Sequence, residues 1–141
     1  TGPAVAALEE LAVLQASGVH PAAFVWVHAQ EEKDPRLLVK AAGMGAWISL
    51  DGIGWGSVDE YLPKLQLLKN SGLLSRTLIS HDAGWYKPGE AGGGAFTGFT
   101  QIHEKLFPGL LSLGFTQKDL DTLLVINPRL AFRPSIRKQM P

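Results

Sequence analysis

Polar side chains that can bind a metal ion or accept a proton follow three apolar segments of the sequence. His28 follows "AFVWV", Asp51 follows "AWISL", and Asp82 ends "TLISHD". Imidazole nitrogen and carboxylate oxygen are ligands for zinc and other divalent metals, and a carboxylate can also accept a proton from water. A single His or Asp at a strand end is more often a helix cap or an ordinary hydrogen-bonding residue. The metal-site hypothesis therefore requires a fold that brings these residues together.

The three apolar segments have the composition of buried strands, and helical patterns separate them. β-Branched and aromatic residues mark the strands, and apolar side chains at helical spacing mark the helices. The predicted strands are residues 23–30, 45–53 and 77–82, and the predicted helices are residues 2–18, 34–43 and the late fifties to Asn70. This alternation predicts an α/β fold with parallel strands joined by right-handed crossovers. In such folds, active sites lie at the carboxyl ends of the strands.

A long loop and further helices are predicted after the third strand. Residues 83–98 are rich in glycine, and loops of this length in compact domains are usually functional or disordered. Residues 100–114 are expected to be partly helical. Thr116 begins a Ser/Thr-x-x-acid cap, and the helix that follows is predicted to stop before Pro128. The tail from Arg133 is expected to be a surface extension.

Side-chain alternation along a strand predicts which polar residues face the same side. Asp82 shares a face with Ser80, whereas His81 points the other way with Ile79. His81 is therefore expected to pack against other groups or to orient them. Asp51 is expected to be a hydrogen-bond anchor that supports a metal ligand, rather than a ligand itself.

The composition excludes several classes of function. Lys plus Arg equals Asp plus Glu at 13 each, so no excess of positive charge is present to neutralise nucleic-acid phosphates. The apolar runs fall well short of the roughly 20 residues that a membrane-spanning helix needs. Without cysteine, a metal must be held by His and carboxylate. The sequence begins with Thr1 rather than Met, so a targeting signal cannot be judged and the compartment stays open, with the cytoplasm favoured.

Four segments, in their order along the chain, resemble the carboxyl-terminal half of the phosphotriesterase-related proteins, a branch of the amidohydrolase superfamily. The segments are "FVWVHAQEEKD", "GAWISLDGIG", "LISHDAGW" and "LLVINPRLAF". A histidine at a strand end is common by itself. The ordered series of strand-His, strand-Leu-Asp, Ser-His-Asp and Asn-Pro is moderately specific, and the resemblance covers nearly the whole chain.

The resemblance implies a (β/α)8 TIM barrel, of which this chain supplies roughly strands 6 to 8 and their flanking helices. A TIM barrel needs about 250 residues, so residues 1–141 are expected to be the carboxyl-terminal part of a single longer barrel and to be inactive in isolation. By their place in the family pattern, His28 would be the metal ligand of strand 6 and Asp82 that of strand 8. The implied cofactor is a pair of divalent ions, with zinc favoured over manganese, cobalt or iron.

The activity that the resemblance implies is metal-dependent, phosphotriesterase-like hydrolysis of ester, lactone or phosphoester bonds by a metal-bridging hydroxide. Asp82 is expected to be both a metal ligand and the catalytic proton acceptor. Glu31 occupies the position of an acid that relays protons in some relatives, and is otherwise an exposed loop acid. Gly52 occupies a position where relatives often carry His or Arg, so the relay partner is missing.

Three aromatic residues lie on the loops that follow the predicted strand ends. Trp55, Trp85 and Tyr86 combine an apolar ring with a polar group, which suits the wall of an apolar substrate pocket. The alternative is that these rings pack a long loop onto the barrel.

The expected partners are a small-molecule substrate and the remaining half of the barrel, and a homodimer stays open. Two other interpretations are also open. One is a barrel that has lost catalysis and binds a small molecule or a partner. The other is a self-contained three-stranded α/β domain whose strand ends only bind a ligand.

Overall fold

Three short parallel strands form the centre of the structure, in the order β1–β2–β3. The computed structural model describes residues 2–138. The strands are β1 (Val25–Trp26), β2 (Trp47–Leu50) and β3 (Thr77–Ile79). Trp26 is in register with Ile48, and Ile48 with Thr77. The predicted parallel sheet is confirmed, although each strand is shorter than its sequence pattern.

Three helices precede and connect the strands: α1 (Ala4–Ala16), α2 (Pro35–Gly43) and α3 (Leu62–Asn70). Asp34, the residue before α2, caps the helix: its side chain accepts a hydrogen bond from the backbone N–H of Arg36. Ser57 caps a short 3-10 turn in the same way, and α3 itself begins only at Leu62, with proline in its first turn. Across residues 2–138, every helix is too short or too polar to cross a bilayer.

The two faces of β2 are buried against different partners. Ile48 and Leu50 pack into the main core together with leucines of α2 and α3, namely Leu38, Leu65 and Leu68. Each such fully buried leucine contributes roughly 1.5–3 kcal/mol relative to an exposed one. Trp47 lies on the opposite face and packs with Leu78 and Ala131. Ser49 and Asp51 follow on this second face, because side chains alternate along a strand.

The last two helical segments run through prolines. The prediction that the final helix stops before Pro128 is wrong, because α5 (Gln117–Asp121) continues through a π-helical turn (Thr122–Ile126) into α6 (Asn127–Phe132). A similar π turn (Ile102–Leu106) precedes α4 (Phe107–Ser112), whose first turn contains a proline. Proline lacks an N–H and its ring crowds the preceding turn of an α-helix. The wider π turn before each proline accommodates the ring without ending the helix.

A buried asparagine connects the final helix to the sheet. The side-chain amide of Asn127 donates to the backbone carbonyls of Leu74, at 2.8 Å, and Thr77, at 2.6 Å. Asn127 is fully buried, so its amide, rather than water, is the hydrogen-bond donor to these carbonyls. The two hydrogen bonds fix α6 against the start of β3.

We expect Asn127→Ala to lower the free energy of unfolding of the intact protein by about 1–3 kcal/mol, since it leaves buried carbonyls without a donor. Urea denaturation of the two proteins measures the difference. Asn70→Ala is the matched control, because Asn70 is exposed and only accepts a hydrogen bond from Gln66 on its own helix. Equal losses in both variants would contradict the role assigned to Asn127.

Candidate functional site

His28 and Asp82 lie in the wall of one cavity at the carboxyl ends of the strands. The cavity has a volume of about 540 Å³, and Trp55 and Glu31 also contribute to its wall. Trp85 and Tyr86 lie outside it, on the exposed loop that follows β3. The sequence thus placed His28 and Asp82 at the same edge of the sheet, as the structure does.

The backbone turns sharply at both residues. β1 ends at Trp26 and β3 ends at Ile79, so neither His28 nor Asp82 belongs to a strand, and the strand alternation used to orient Asp82 does not reach it. His28 has a φ of 54° and Asp82 a φ of 46°, and they are the two residues other than glycine with positive φ in the described part of the chain. A side chain in this conformation costs on the order of 1–3 kcal/mol, and such residues cluster at functional sites.

Asp51 holds His28 from the neighbouring strand. The carboxylate of Asp51 accepts hydrogen bonds from the backbone N–H of His28, at 3.0 Å, and from Nδ1 of its ring, at 2.8 Å. The hydroxyl of Ser49 donates to the same carboxylate at 3.1 Å. Because a carboxylate only accepts, Nδ1 carries the proton, and the lone pair of Nε2 is available for a metal ion. Asp51 is buried, whereas the side chain of His28 is 50% exposed.

Gln30, which the sequence analysis did not single out, holds Asp51 in turn. Its side-chain amide donates to the carboxylate of Asp51 at 3.1 Å, and its side-chain carbonyl accepts from the backbone N–H of Asp51, also at 3.1 Å. The ammonium of Lys64 donates to the backbone carbonyl of Gln30 at 2.8 Å. The sequence hint for this role was that Gln30 is polar and lies two positions after His28. The short 3-10 turn Ala29–Glu31 folds Gln30 back towards β2.

A side chain at position 52 would require Tyr61 and Gln30 to shift. A Cβ at this position would lie 2.8 Å from the hydroxyl of Tyr61 and 2.9 Å from the amide nitrogen of Gln30. The close packing of Tyr61 and Gln30 against Gly52 thus disfavours the His or Arg that relatives often carry at this position. Burial, together with the nearby negative charges of Asp51, Glu31 and Glu60, raises the pKa of Tyr61 to about 12.

Two tryptophans hold the loop that carries Asp82. The indole N–H groups of Trp55 and Trp85 both donate to the backbone carbonyl of Asp82, the latter at 2.9 Å. Trp55 and Trp85 as whole residues remain 55% and 57% exposed, and Tyr86 is 71% exposed. The polar edges of both tryptophans therefore position the loop, while the faces of the rings stay open to a ligand.

His81 points away from the cavity and towards the helical region that follows the loop. Its Nε2 accepts a hydrogen bond from the backbone N–H of Ile102 at 3.1 Å. Burial, and next the charge of His103, lower the pKa of His81. A neutral ring is required for this bond, because only an unprotonated nitrogen accepts.

The residues present fit part of a metal site. His28 offers Nε2 with its tautomer set by Asp51, and a carboxylate that supports a ligating imidazole in this way is common around metals. Asp82 supplies a carboxylate in the wall of the same cavity. Between residues 2 and 138, no group of three or more His, Asp or Glu is arranged to hold a metal ion. The two candidate donors in this cavity are fewer than the three or four protein ligands of a typical zinc site.

Comparison with known proteins points to one family. The sequence model described as "Phosphotriesterase family" matches residues 1–132. The phosphotriesterase homology protein of Escherichia coli (strain K12) is 31% identical over 129 residues, which cover 89% of this chain and 44% of that protein. The match to the family model thus extends from the start of α1 through α6.

Solved structures of similar proteins share the fold. The phosphotriesterase from Mycobacterium tuberculosis superposes with a TM-score of 0.77 at 22% identity, over 94% of this chain and 43% of that chain. A resiniferatoxin-binding protein from Rhodobacter sphaeroides superposes with a TM-score of 0.75 at 28% identity, over 92% of this chain and 39% of that chain. The chain spans less than half the length of the relatives it matches. Its fold is part of a TIM barrel, as the resemblance to the phosphotriesterase-related proteins implied.

We expect Asp51→Asn to release the tautomer of His28, because an amide can present either a donor or an acceptor to Nδ1. Proton–nitrogen correlation NMR of the histidine rings in the intact protein should show the proton on Nδ1 in the wild type and a tautomer mixture in the variant. Asp59→Asn, in the exposed turn after β2, is the matched control and should leave the His28 signals unchanged. A wild-type ring with its proton on Nε2 would contradict this geometry.

We also expect Tyr61 to make stability depend on alkaline pH. The pKa of Tyr61 in the folded protein, about 12, lies above the ordinary value of 10.0. The hydroxyl therefore ionises in the unfolded chain first, and the free energy of unfolding falls as the pH rises from 10 towards 12. Tyr61→Phe should therefore lose less free energy of unfolding between about pH 9 and pH 11 than the wild type does. Urea denaturation at the two pH values measures this. The exposed Tyr86→Phe serves as control, and an identical pH dependence in all three proteins would refute the expectation.

Proposed function

Since this chain belongs to the phosphotriesterase family, we propose that it forms the carboxyl-terminal part of a metal-dependent hydrolase that cleaves ester, lactone or phosphoester bonds. The observation that carries the proposal is the pairing of His28 with Asp51. It leaves Nε2 of His28 free to bind a metal in a cavity that Asp82 also lines. The family name and the name of the Mycobacterium tuberculosis relative support hydrolysis of phosphoesters in particular.

The metal would be held by Nε2 of His28 and the carboxylate of Asp82, with further ligands from the rest of the barrel. Imidazole and carboxylate suit zinc, manganese, cobalt and iron, and zinc is the favoured choice. When bound, two divalent ions would lower the pKa of a water molecule and would polarise the bond under attack. The cavity of about 540 Å³ is within the range of small-molecule sites.

Asp82 would accept the proton of the attacking water. Its backbone carbonyl accepts hydrogen bonds from the indole N–H groups of Trp55 and Trp85, which hold the loop at this residue. A proton acceptor must lie within hydrogen-bond reach of the water, and the place of Asp82 in the cavity wall supports this role. Glu31 lies in the same cavity wall, but glycine at position 52 gives it no His or Arg with which to relay the proton.

The substrate would contact the aromatic rings near the cavity. Trp55 lines the cavity directly, and Trp85 and Tyr86 extend from the loop after β3 with more than half of their surface exposed. Exposed rings of this kind are suited to apolar groups of a substrate. The loop after β3 would therefore set the preference for the non-reacting part of the substrate.

The remaining half of the barrel is the expected structural partner. β1 and β3 are the two edges of the sheet in the described residues, and each has one side without a hydrogen-bonded neighbour strand. Unpaired strand edges readily pair with further strands, and closing a barrel removes them. A homodimer of complete barrels is compatible with this arrangement.

A second candidate function is binding without catalysis. The Rhodobacter sphaeroides relative is named for binding resiniferatoxin, and it superposes on this chain with a TM-score of 0.75. A barrel of this kind would retain the cavity and its aromatic rings without requiring a metal. Metal analysis of the intact protein separates the two functions, because a hydrolase would retain bound divalent ions and a binder without catalysis would not.

We expect Asp82→Asn to reduce turnover of ester, lactone or phosphoester substrates by a factor on the order of 10² to 10⁴, because an amide does not accept the proton. The fold should be retained, since no side-chain hydrogen bond to the Asp82 carboxylate contributes to packing in residues 2–138. Steady-state kinetics of the intact protein measure the loss. Asp121→Asn, on the exposed surface of α5, should keep full turnover. Near-normal activity in the Asp82 variant would end this assignment.

A further inference from the structure

One polar group in the wall of the candidate-site cavity is open to a ligand. Tyr61 is the residue before α3, and only 5% of its surface is exposed. Tyr61 and Gly52 both line the cavity, and the hydroxyl of Tyr61 lies 2.8 Å from the position that a Cβ of residue 52 would take. Within residues 2–138 this hydroxyl takes part in no hydrogen bond, and the side-chain atoms that lack both a partner and accessible surface belong to Trp47 and Asn127 instead. The hydroxyl of Tyr61 therefore faces the cavity without a partner.

Two glutamates in the same wall are also available to a ligand. Glu31 follows β1, and Glu60 is the residue before Tyr61. Neither glutamate forms a salt bridge in the part of the chain that the structure describes. Glu32 differs from them, because its carboxylate accepts hydrogen bonds from two backbone N–H groups, at 2.8 Å and 2.9 Å. Two carboxylates thus accompany the Tyr61 hydroxyl.

These three groups favour a ligand that donates hydrogen bonds. Burial, together with the negative charges of Asp51, Glu31 and Glu60, raises the pKa of Tyr61 to about 12, so the hydroxyl is neutral near pH 7. The same negative charges disfavour an anionic ligand group at this place. A carboxylate only accepts hydrogen bonds, and a tyrosine hydroxyl can accept them as well. The ligand group that fits is therefore a donor without negative charge.

Two lysines in the same wall favour a neutral donor over a cationic one. Lys33 and Lys64 line the cavity, so two positive charges accompany those of Glu31 and Glu60. The ammonium of Lys64 also donates to the backbone carbonyl of Gln30 at 2.8 Å, which ties the turn after β1 to α3. Contacts within the chain thus enclose this corner of the cavity. A hydroxyl group donates and accepts without charge, and it matches this mixture of side chains.

Building on the hydrolase function proposed above, we propose that Tyr61, Glu31 and Glu60 form a subsite for an uncharged, hydroxyl-bearing part of the substrate. Trp55 lies in the same wall and offers the face of its ring to the C–H groups beside those hydroxyls. A ligand without hydroxyls would leave the polar groups of the wall unpaired, which discriminates strongly against it. Tyr61 is therefore a specificity-determining residue, which selects the substrate and takes no part in the bond cleavage.

NMR titration of the intact protein with xylitol and with 1,5-pentanediol tests the subsite, because the two probes share a five-carbon chain and differ in their internal hydroxyl groups. We expect xylitol to shift the side-chain amide signals of Gln30 and the indole N–H signal of Trp55 in a saturable way. Pentanediol should bind at least about tenfold more weakly. Tyr61→Phe should weaken xylitol binding by about three- to tenfold, since it keeps the ring and removes one hydrogen bond. Glu31→Gln/Glu60→Gln should weaken it by about tenfold or more.

Asp59→Asn is the matched control, because Asp59 lies in the same turn as Glu60 but outside the cavity wall, and it should leave xylitol binding unchanged. Xylitol binding no tighter than that of pentanediol, or equal xylitol affinity in Tyr61→Phe and the wild type, would overturn the proposal. The titration measures binding without turnover, so its result is separate from the test of hydrolysis. Failure of the hydrolase function would appear instead as a lack of bound divalent ions or as normal turnover in Asp82→Asn.

Discussion

The hydrogen bonds between Asp51 and His28 are the interaction on which the candidate site depends. They join the ends of two parallel strands at the point where the first has already turned out of the sheet. The left-handed backbone of His28 is unfavourable for a residue with a side chain, and the bond from its own N–H to the Asp51 carboxylate helps to hold it there. The same carboxylate determines which ring nitrogen is free. Backbone geometry and ligand chemistry are thus set by one side chain.

The residues behind Asp51 explain why it can do this. Gln30 and Ser49 occupy its remaining acceptor sites, and Gly52 lets Gln30 approach closely. A buried carboxylate is stable only when its oxygens are hydrogen-bonded, so these neighbours make the anchor possible. The absence of a side chain at position 52 is then a consequence of close packing. A relay residue at that position would displace Gln30 or Tyr61.

The two ends of the sheet are chemically different. At the carboxyl ends, hydrogen bonds from the protein satisfy the Asp51 carboxylate and leave one imidazole nitrogen free. At the amino ends, the guanidinium of Arg137 donates to the backbone carbonyls of Ala22 and Ala131 and so holds the tail against the turn before β1. The arrangement at the carboxyl ends favours a cation, whereas the one at the amino ends anchors the chain.

The sequence by itself determined the alternation of helices and strands, the parallel sheet, and the placement of His28, Asp51 and Asp82 at strand ends. These follow from local periodicity, and parallel strands necessarily end at the same edge. Only the tertiary structure decided that Asp51 bonds to His28, that Gln30 supports Asp51, and that the final helix continues through Pro128. Those outcomes depend on contacts between residues far apart in the chain and on a π turn that relieves the proline ring. The periodicity of the sequence predicts neither these long-range contacts nor the π turn. It indicates which face of an element a side chain takes and not which atom that side chain contacts.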